Sequence, residues 1–267
     1  MGRGQRRGIH SDGVMTDRRL LPLGVLLLLS ATSSALAAQD VRLELDHAYV
    51  LVPTGGADAV RALQRVGIVI DTEAVRHEGE GTTSLVAFFE NAYLELMWVD
   101  SSVAVDSAHQ LDVAEFRRAT AWRKTGASPF GIGLHLLSGN LADLAAPYRL
   151  DAIPETNPAT FYVILRQPAD SLAADAFIMP QDRAVTSWIE RYRSRQPARF
   201  THPAGLRRIT RVVVRGAHAE PASLAGLDIR PVHFQQSGEP LMEVEFDDGL
   251  RSQRWDLRPA LPVILRW

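Results

Sequence analysis

The order strand–helix–strand–strand–strand is written into residues 43–99 and again, about 160 residues later, into residues 207–257. A recurring order of that kind leaves few architectures open. In the first copy, VRLELDHAYVLVP alternates and is rich in Val and Leu, predicting a strand stopped by Pro53 and the turn TGG. ADAVRALQRVG sets Ala59, Leu63 and Val66 on one helical face, with Gly67 at the C-terminal cap. IVIDTE, TTSLVAFFE and AYLELMWV read as three strands, with HEGEG and Asn91 as turns. In the last copy LRRITRVVVRG, DIRPVHFQ, PLMEVEFDDG and SQRWDL are strands, AEPASLAGL is a helix and DDG a hairpin turn. Between the two, FGIGLHLLSG, a short helix NLADLAAPY, ATFYVILRQ and DAFIMPQ make residues 130–181 a degenerate middle copy. Two more helices are expected. One starts at Asp112 in DVAEFRRATAWRKTG, with Glu115 placed as in a capping box, and the amphipathic DRAVTSWIERYRSR carries Trp188 and Tyr192 on one side. The expected fold class is α+β: repeated βαβββ modules forming curved mixed sheets around a cleft, helices on their outer faces.

The N-terminus predicts export. Arg18 and Arg19 precede the apolar run LLPLGVLLLLS, and SSALAAQD follows with small residues at Ala35 and Ala37, the layout of a secretory signal peptide over residues 1–37. The apolar core is about half of the ~20 residues a spanning helix needs, so the alternative, an uncleaved anchor, fits less well. Translation can start at Met1 or at Met15. The chain is then periplasmic or extracellular, with no membrane contact after cleavage. It has no Cys, which excludes disulfides, thiolate metal sites, Cys nucleophiles and lipobox anchors. The leader holds five Arg and two Asp, leaving 24 basic and 29 acidic residues in the mature part. That balance argues against a nucleic-acid partner. Lys124 is the only Lys, which disfavours Schiff-base chemistry, and GxSxG, GxxxxGK[ST], HExxH and Rossmann fingerprints are absent.

One residue stands out against this background. Glu95 sits inside AYLELMWV, between Leu94 and Leu96. A buried carboxylate without a partner costs several kcal/mol or neutralises itself, so a metal, an Arg, a proton-sharing neighbour or open solvent must face it. Period-two alternation puts Tyr93, Glu95, Met97 and Val99 on one face of their strand. On the first strand it puts Leu45, His47, Tyr49 and Leu51 together. A general-base role for Glu95 requires burial to lift its pKa toward working pH.

LDHAYVLVP, LQRVGIVI, HEGEGTTSLVAFFENAYLELMWV and THPAG together resemble the glyoxalase-like branch of the vicinal oxygen chelate superfamily. The resemblance spans most of residues 43–215, is best in 43–99, and makes 41–267 one glyoxalase-like domain. It implies βαβββ modules paired around a cleft. It also implies a divalent metal held by a His of the first strand and a Glu of the fourth, with partners from the paired module. The matching positions are His47 in LDH and Glu95 in YLEL, as metal ligands or catalytic groups. Imidazole and carboxylate suit Zn²⁺, Mn²⁺, Ni²⁺ or Fe²⁺, the alternative being no cofactor. The implied activity is that of a lyase or isomerase acting on a small oxygenated molecule. The alternative is a non-catalytic module that binds or sequesters a small molecule. Tyr49, Met97, Arg211 and His77 are the expected substrate-lining residues, and modules can pair within the chain or across a homodimer.

The copies depart from that pattern. Alignment puts Ile132 opposite His47, so parity turns His135 to the other face unless a bulge re-aims it. In the last copy Arg211 takes the His position and Asp256 the Glu position, so Arg211 is expected to pair with Glu95 or Asp256 or to grip an anionic substrate. His202 in THPAG reads as a structural loop contact, His233 as a candidate for the last copy's cleft, and His109 and His218 receive no role. Trp98, Trp122 and Trp188 read as core.

Overall fold

The computed structural model describes residues 41–141, 149–152, 161–164, 172–217, 224 and 227–267. The leader, the helix expected at 140–148 and most of the helix expected at 219–227, with His218, lie outside them. The first copy forms in the expected order: β1 (Arg42–Leu51), α1 (Ala57–Arg65), β2 (Val75–His77), β3 (Thr82–Phe88) and β4 (Tyr93–Val99). Its second strand is displaced. IVIDTE is not a strand; residues 75–77, next to the expected HEGEG turn, pair with β3 instead.

Next come α2 (Gln110–Thr120), α3 (Trp122–Thr125), β5 (Phe130–Ser138), β6 (Arg149–Ala152), β7 (Phe161–Ile164), β8 (Asp175–Ile178) and α4 (Val185–Arg195). The capping box at Asp112 does not form, because α2 begins two residues earlier and Asp112 is buried within its first turn.

The two halves pair within one chain. The strand order is β2-β3-β4-β1-β5-β8-β7-β6 in a nine-stranded, strongly curled half-barrel sheet. β1 runs parallel to β4 and β5 parallel to β8, while β1 and β5 meet antiparallel at the centre. The middle copy is therefore a full partner in strand order.

The last segment is not a third copy. β9 (Ile209–Gly216), β11 (Val232–Gln236), β12 (Leu241–Phe246), β13 (Arg254–Asp256) and β14 (Val263–Arg266) pair as β11-β9-β12-β14-β13. In a βαβββ module the first strand lies parallel to the fourth; here β9 runs antiparallel to β12 and parallel to β11. The run DIRPVHFQ also splits. β10 (Asp228–Arg230) joins β1 in the first sheet and β11 joins the second, on either side of Pro231, which has no N–H to continue a ladder.

The main core lies between the two sheets. Leu43, Leu45, Ala48 and Val50 of β1, Leu94, Leu96 and Trp98 of β4 and Phe130, Ile132 and Leu134 of β5 pack toward Val212, Val214, Met242, Val244, Phe246 and Leu265. Ala59 and Leu63 of α1 join this core. The Asn91 amide clamps the sheets together, donating to the Ile209 carbonyl at 2.9 Å and accepting the Ile209 N–H at 3.0 Å. The other two long helices lie on the opposite face of the first sheet, contrary to the expectation that every helix packs outside. Ala119 of α2 packs with Tyr49, Leu51 and Met97, and Trp188 and Tyr192 of α4 meet Phe88 and Tyr93.

Candidate functional site

The face under α2 and α4 holds the chemistry, and a β-bulge in β1 decides which residues reach it. Leu45 pairs with Leu134 and His47 with Gly133, so Asp46 is an extra residue with no partner on β5. A bulge turns consecutive side chains toward the same side. Leu45 therefore belongs to the main core, not with His47 as alternation predicts, and Asp46 and His47 share the site face. Alternation holds on β5; it is the alignment of Ile132 with His47 that fails, because His47 pairs with Gly133. Phe130, Ile132 and Leu134 face the core, and Gly131, Gly133 and His135 lie on the site face.

His47 and Glu95 are brought together. Both are almost wholly buried, and His47 Nε2 lies 3.9 Å from Glu95 Oε2. The imidazole stacks on Tyr93 with centroids 4.4 Å apart and meets Phe177 edge-on. Its Nδ1 is 2.8 Å from Oδ1 of Asp46, a residue with no exposed surface. On the other side of Glu95, His77 Nε2 is 3.5 Å from Oε1, and His77 Nδ1 is held by Thr82 Oγ1 at 2.8 Å.

The electrostatics run against a general-base role for Glu95. Burial pushes its carboxyl up, but the His77 hydrogen bond and the charges of His77 and His47 outweigh it, with help from the nearby Ser84 hydroxyl, and hold it at about 2. Ser84 Oγ makes no fully formed hydrogen bond, so its share is the small one. For His77, burial lowers the pKa, while the bond to Glu95 and the charges of Glu95 and Glu80 prevail and raise it. Glu95 and His77 thus favour each other's charged form across 3.5 Å, answering the question its position poses: an imidazole faces the carboxylate.

The other expected residues scatter. Tyr49 donates its hydroxyl to Asp175 Oδ2 at 2.6 Å and packs edge-on against Phe116, and Met97 lies in the same apolar cluster; the cavity beside Tyr49 measures only about 20 Å³. Arg211 is exposed on β9, in register with Glu245 in the second sheet, and lines no part of this face. Asp256 pairs with Arg258, which holds its carboxyl down at about 2. His233 is exposed on β11. His109 immediately precedes α2, Trp98 lies in the main core, Trp122 lies under Arg123, and Trp188 packs under α4 on the site face.

The donors present do not fit the metal that the family resemblance implies. His47 and Glu95 supply two donors, both nitrogens of the nearby His77 are turned to Glu95 and Thr82, the facing strands present Gly131, Gly133 and Phe177, and Asp175 accepts from Tyr49. Among the described residues no group of three or more His, Asp or Glu is placed to hold an ion. Asp46 was missed in the sequence because a bulge leaves no composition signal. The GxG of FGIGLH was the readable clue, since a Cβ at Gly133 would lie 2.4 Å from the His47 ring and one at Gly131 2.0 Å from the Tyr49 ring.

His202 is a structural staple, as expected. Val69 N–H donates to its Nδ1 at 3.0 Å, so Nε2 carries the proton and donates to the Phe88 carbonyl at 2.9 Å. The Val69 N–H of IVIDTE is thus taken by a side chain, while its Asp71 N–H reaches the Val86 carbonyl of β3 at 2.8 Å. His202→Ala is expected to lower unfolding free energy by about 2–4 kcal/mol, since two buried backbone groups lose their partner; a denaturant melt measures it.

No family model and no curated protein sequence matches the chain. Among solved structures it is similar to a hypothetical protein from Staphylococcus aureus, at 12% identity and TM-score 0.45, covering 84% of this chain and 98% of that one. It is also similar to a xylose isomerase-like TIM barrel/4-hydroxyphenylpyruvate dioxygenase fusion protein, at 12% identity and TM-score 0.37. That likeness covers 76% of this chain, which spans 36% of the fusion protein's length.

Proposed function

We propose that this is an exported glyoxalase-like protein of the vicinal oxygen chelate type, acting as a lyase or isomerase on a small oxygenated molecule, with His47 as the proton-transfer group. The observation that carries the reading is the 3.9 Å gap between His47 Nε2 and Glu95 Oε2 across adjacent strands. That gap is too wide for a direct hydrogen bond and suits a shared proton-bearing atom, since a hydroxyl oxygen about 2.8 Å from each reaches both. His47 would take the proton of a substrate O–H or activated C–H and return it to a neighbouring atom. Glu95, ionised, would stabilise the imidazolium formed, with His77 holding the other carboxylate oxygen in place. Export rests on the leader sequence.

A second reading, a non-catalytic binder on the same fold, is favoured by the two-donor site. Both are tested with mature protein, residues 38–267, on a panel of enolisable α-hydroxycarbonyls and vicinal diols. Solvent deuterium incorporation reports proton transfer and thermal shift reports binding. Exchange that falls about 100-fold or more in His47→Ala is the expected result. Binding without exchange supports the binder, and exchange unaffected by His47→Ala refutes the role given to His47.

A further inference from the structure

We infer that Asp46 is a positioning residue that fixes the tautomer of His47, and that the first backbone N–H of α4 fixes Asp46 in turn. The inference rests on the role given to His47 above, but concerns how the imidazole is held rather than what it acts on. One carboxylate oxygen, Oδ1, lies 2.8 Å from His47 Nδ1, and the other, Oδ2, accepts the Val185 N–H at 2.5 Å. Val185 is the first residue of α4, whose preceding residue, Ala184, makes no side-chain cap; Asp46 supplies the acceptor from a distant strand. His135 Nδ1 also faces Oδ2, at 3.7 Å, while its Nε2 reaches Glu44 at 3.3 Å.

Each oxygen therefore has a fixed task. With Oδ2 committed to a backbone donor that cannot rotate away, Oδ1 can only accept from His47. The neutral imidazole then carries its proton on Nδ1 and turns the Nε2 lone pair toward Glu95. A carboxylate that accepts at both ends is what this needs; an amide, which accepts at one end and donates at the other, reverses it. In Asp46→Asn the amide oxygen stays with the Val185 N–H, the amide NH₂ faces Nδ1, and His47 must move its proton to Nε2. The tautomer of His47 is thus coupled to the docking of α4.

The experiment reads tautomers directly from long-range ¹H–¹⁵N spectra of histidine-labelled mature protein at about pH 9, where an ordinary imidazole is neutral. It uses no substrate, so its failure and the failure of the proposed activity are separate results. The expected outcome is Nδ1–H in the wild type and Nε2–H in Asp46→Asn. Adding Val185→Pro removes the pinning N–H. Proline is tolerated at the first helical position, and Ala184 already has the extended conformation (φ −55°, ψ 145°) that precedes proline. In Asp46→Asn with Val185→Pro the amide is free to turn its oxygen to His47, and Nδ1–H is expected to return. A purely structural Asp46 would not produce this flip and rescue. An Nε2–H wild type, or an Asp46→Asn variant that keeps Nδ1–H, overturns the inference. Should Asp46→Asn fail to fold, Val185→Pro alone decides the pinning step: His47 keeps Nδ1–H while hydrogen-exchange protection in the first turn of α4 falls, and unchanged protection there overturns it.

Discussion

Gly131→Ala is expected to lower the melting temperature by about 6–12 °C. The added methyl would sit 2.0 Å from two atoms of the Tyr49 ring, and Tyr49 cannot swing aside, being 3% exposed and tied to Asp175 through its hydroxyl. Overpacking of this kind costs about 3 kcal/mol, and in a chain of this size each kcal/mol moves the midpoint by about 2–4 °C. Glycine is required here for close approach rather than for backbone freedom: a curled sheet brings side chains on its inner face over the neighbouring strand, and only a bare Cα leaves room. Two controls isolate that cause. Gly238→Ala, with nothing within 4 Å of the new methyl, should change stability by no more than about 0.5 kcal/mol. In a Tyr49→Leu background, Gly131→Ala should cost much less than in the wild type, a coupling that differential scanning calorimetry reads as non-additivity. Equal cost in both backgrounds would place the strain elsewhere.

The strands of the first sheet differ in how far their sequence reveals their facing. Alternation along β4 put Glu95, Tyr93 and Met97 on one face correctly, because a regular strand keeps its period. The same rule failed on β1, where one extra residue at Asp46 moved Leu45 into the core. Nothing local in LDH announces that register change; it arises from pairing with β5. Helices were legible as amphipathic segments, but amphipathicity does not name the sheet face they cover. Hence α2 and α4 cover the site face although Trp188 and Tyr192 share one side of α4 as their spacing predicts. IVIDTE carries an apolar alternation fit for a strand, yet a side chain 133 residues away, His202, takes its Val69 N–H. The C-terminal segment has the element order of a third module without its pairing order, and element order alone does not encode which strand meets which. With that module gone, the alignment that gave Arg211 and Asp256 their roles has no structural basis.

Glu95→Gln is expected to reduce stability most between about pH 4.5 and 6.5, with the penalty shrinking on either side. The acid limb follows from Glu95. Its carboxyl is held at about 2, below the ordinary 4.5, so its contribution is present above 4.5 and is lost as pH falls toward 2. The other limb follows from His77. Its pKa lies above the ordinary 6.5, so its contribution is complete below 6.5 and is lost as pH rises through the raised value. The Glu95 displacement corresponds to stabilisation on the order of 3 kcal/mol at the plateau. Other shifted groups, Asp100, His202 and Asp256, titrate alike in both proteins and cancel in the difference curve. Chemical denaturation of wild type and Glu95→Gln across this range measures that curve directly, and His77→Gln should reproduce it. A flat difference would mean that Glu95 and His77 are not an ion pair. A His77→Gln curve that lacks the loss at higher pH would mean that His47, not His77, carries the partner charge. The outcome bears on the proposed function as well as stability: a carboxylate held at about 2 is too weak a base to take a proton from carbon near neutral pH, so the proposal gives that task to His47.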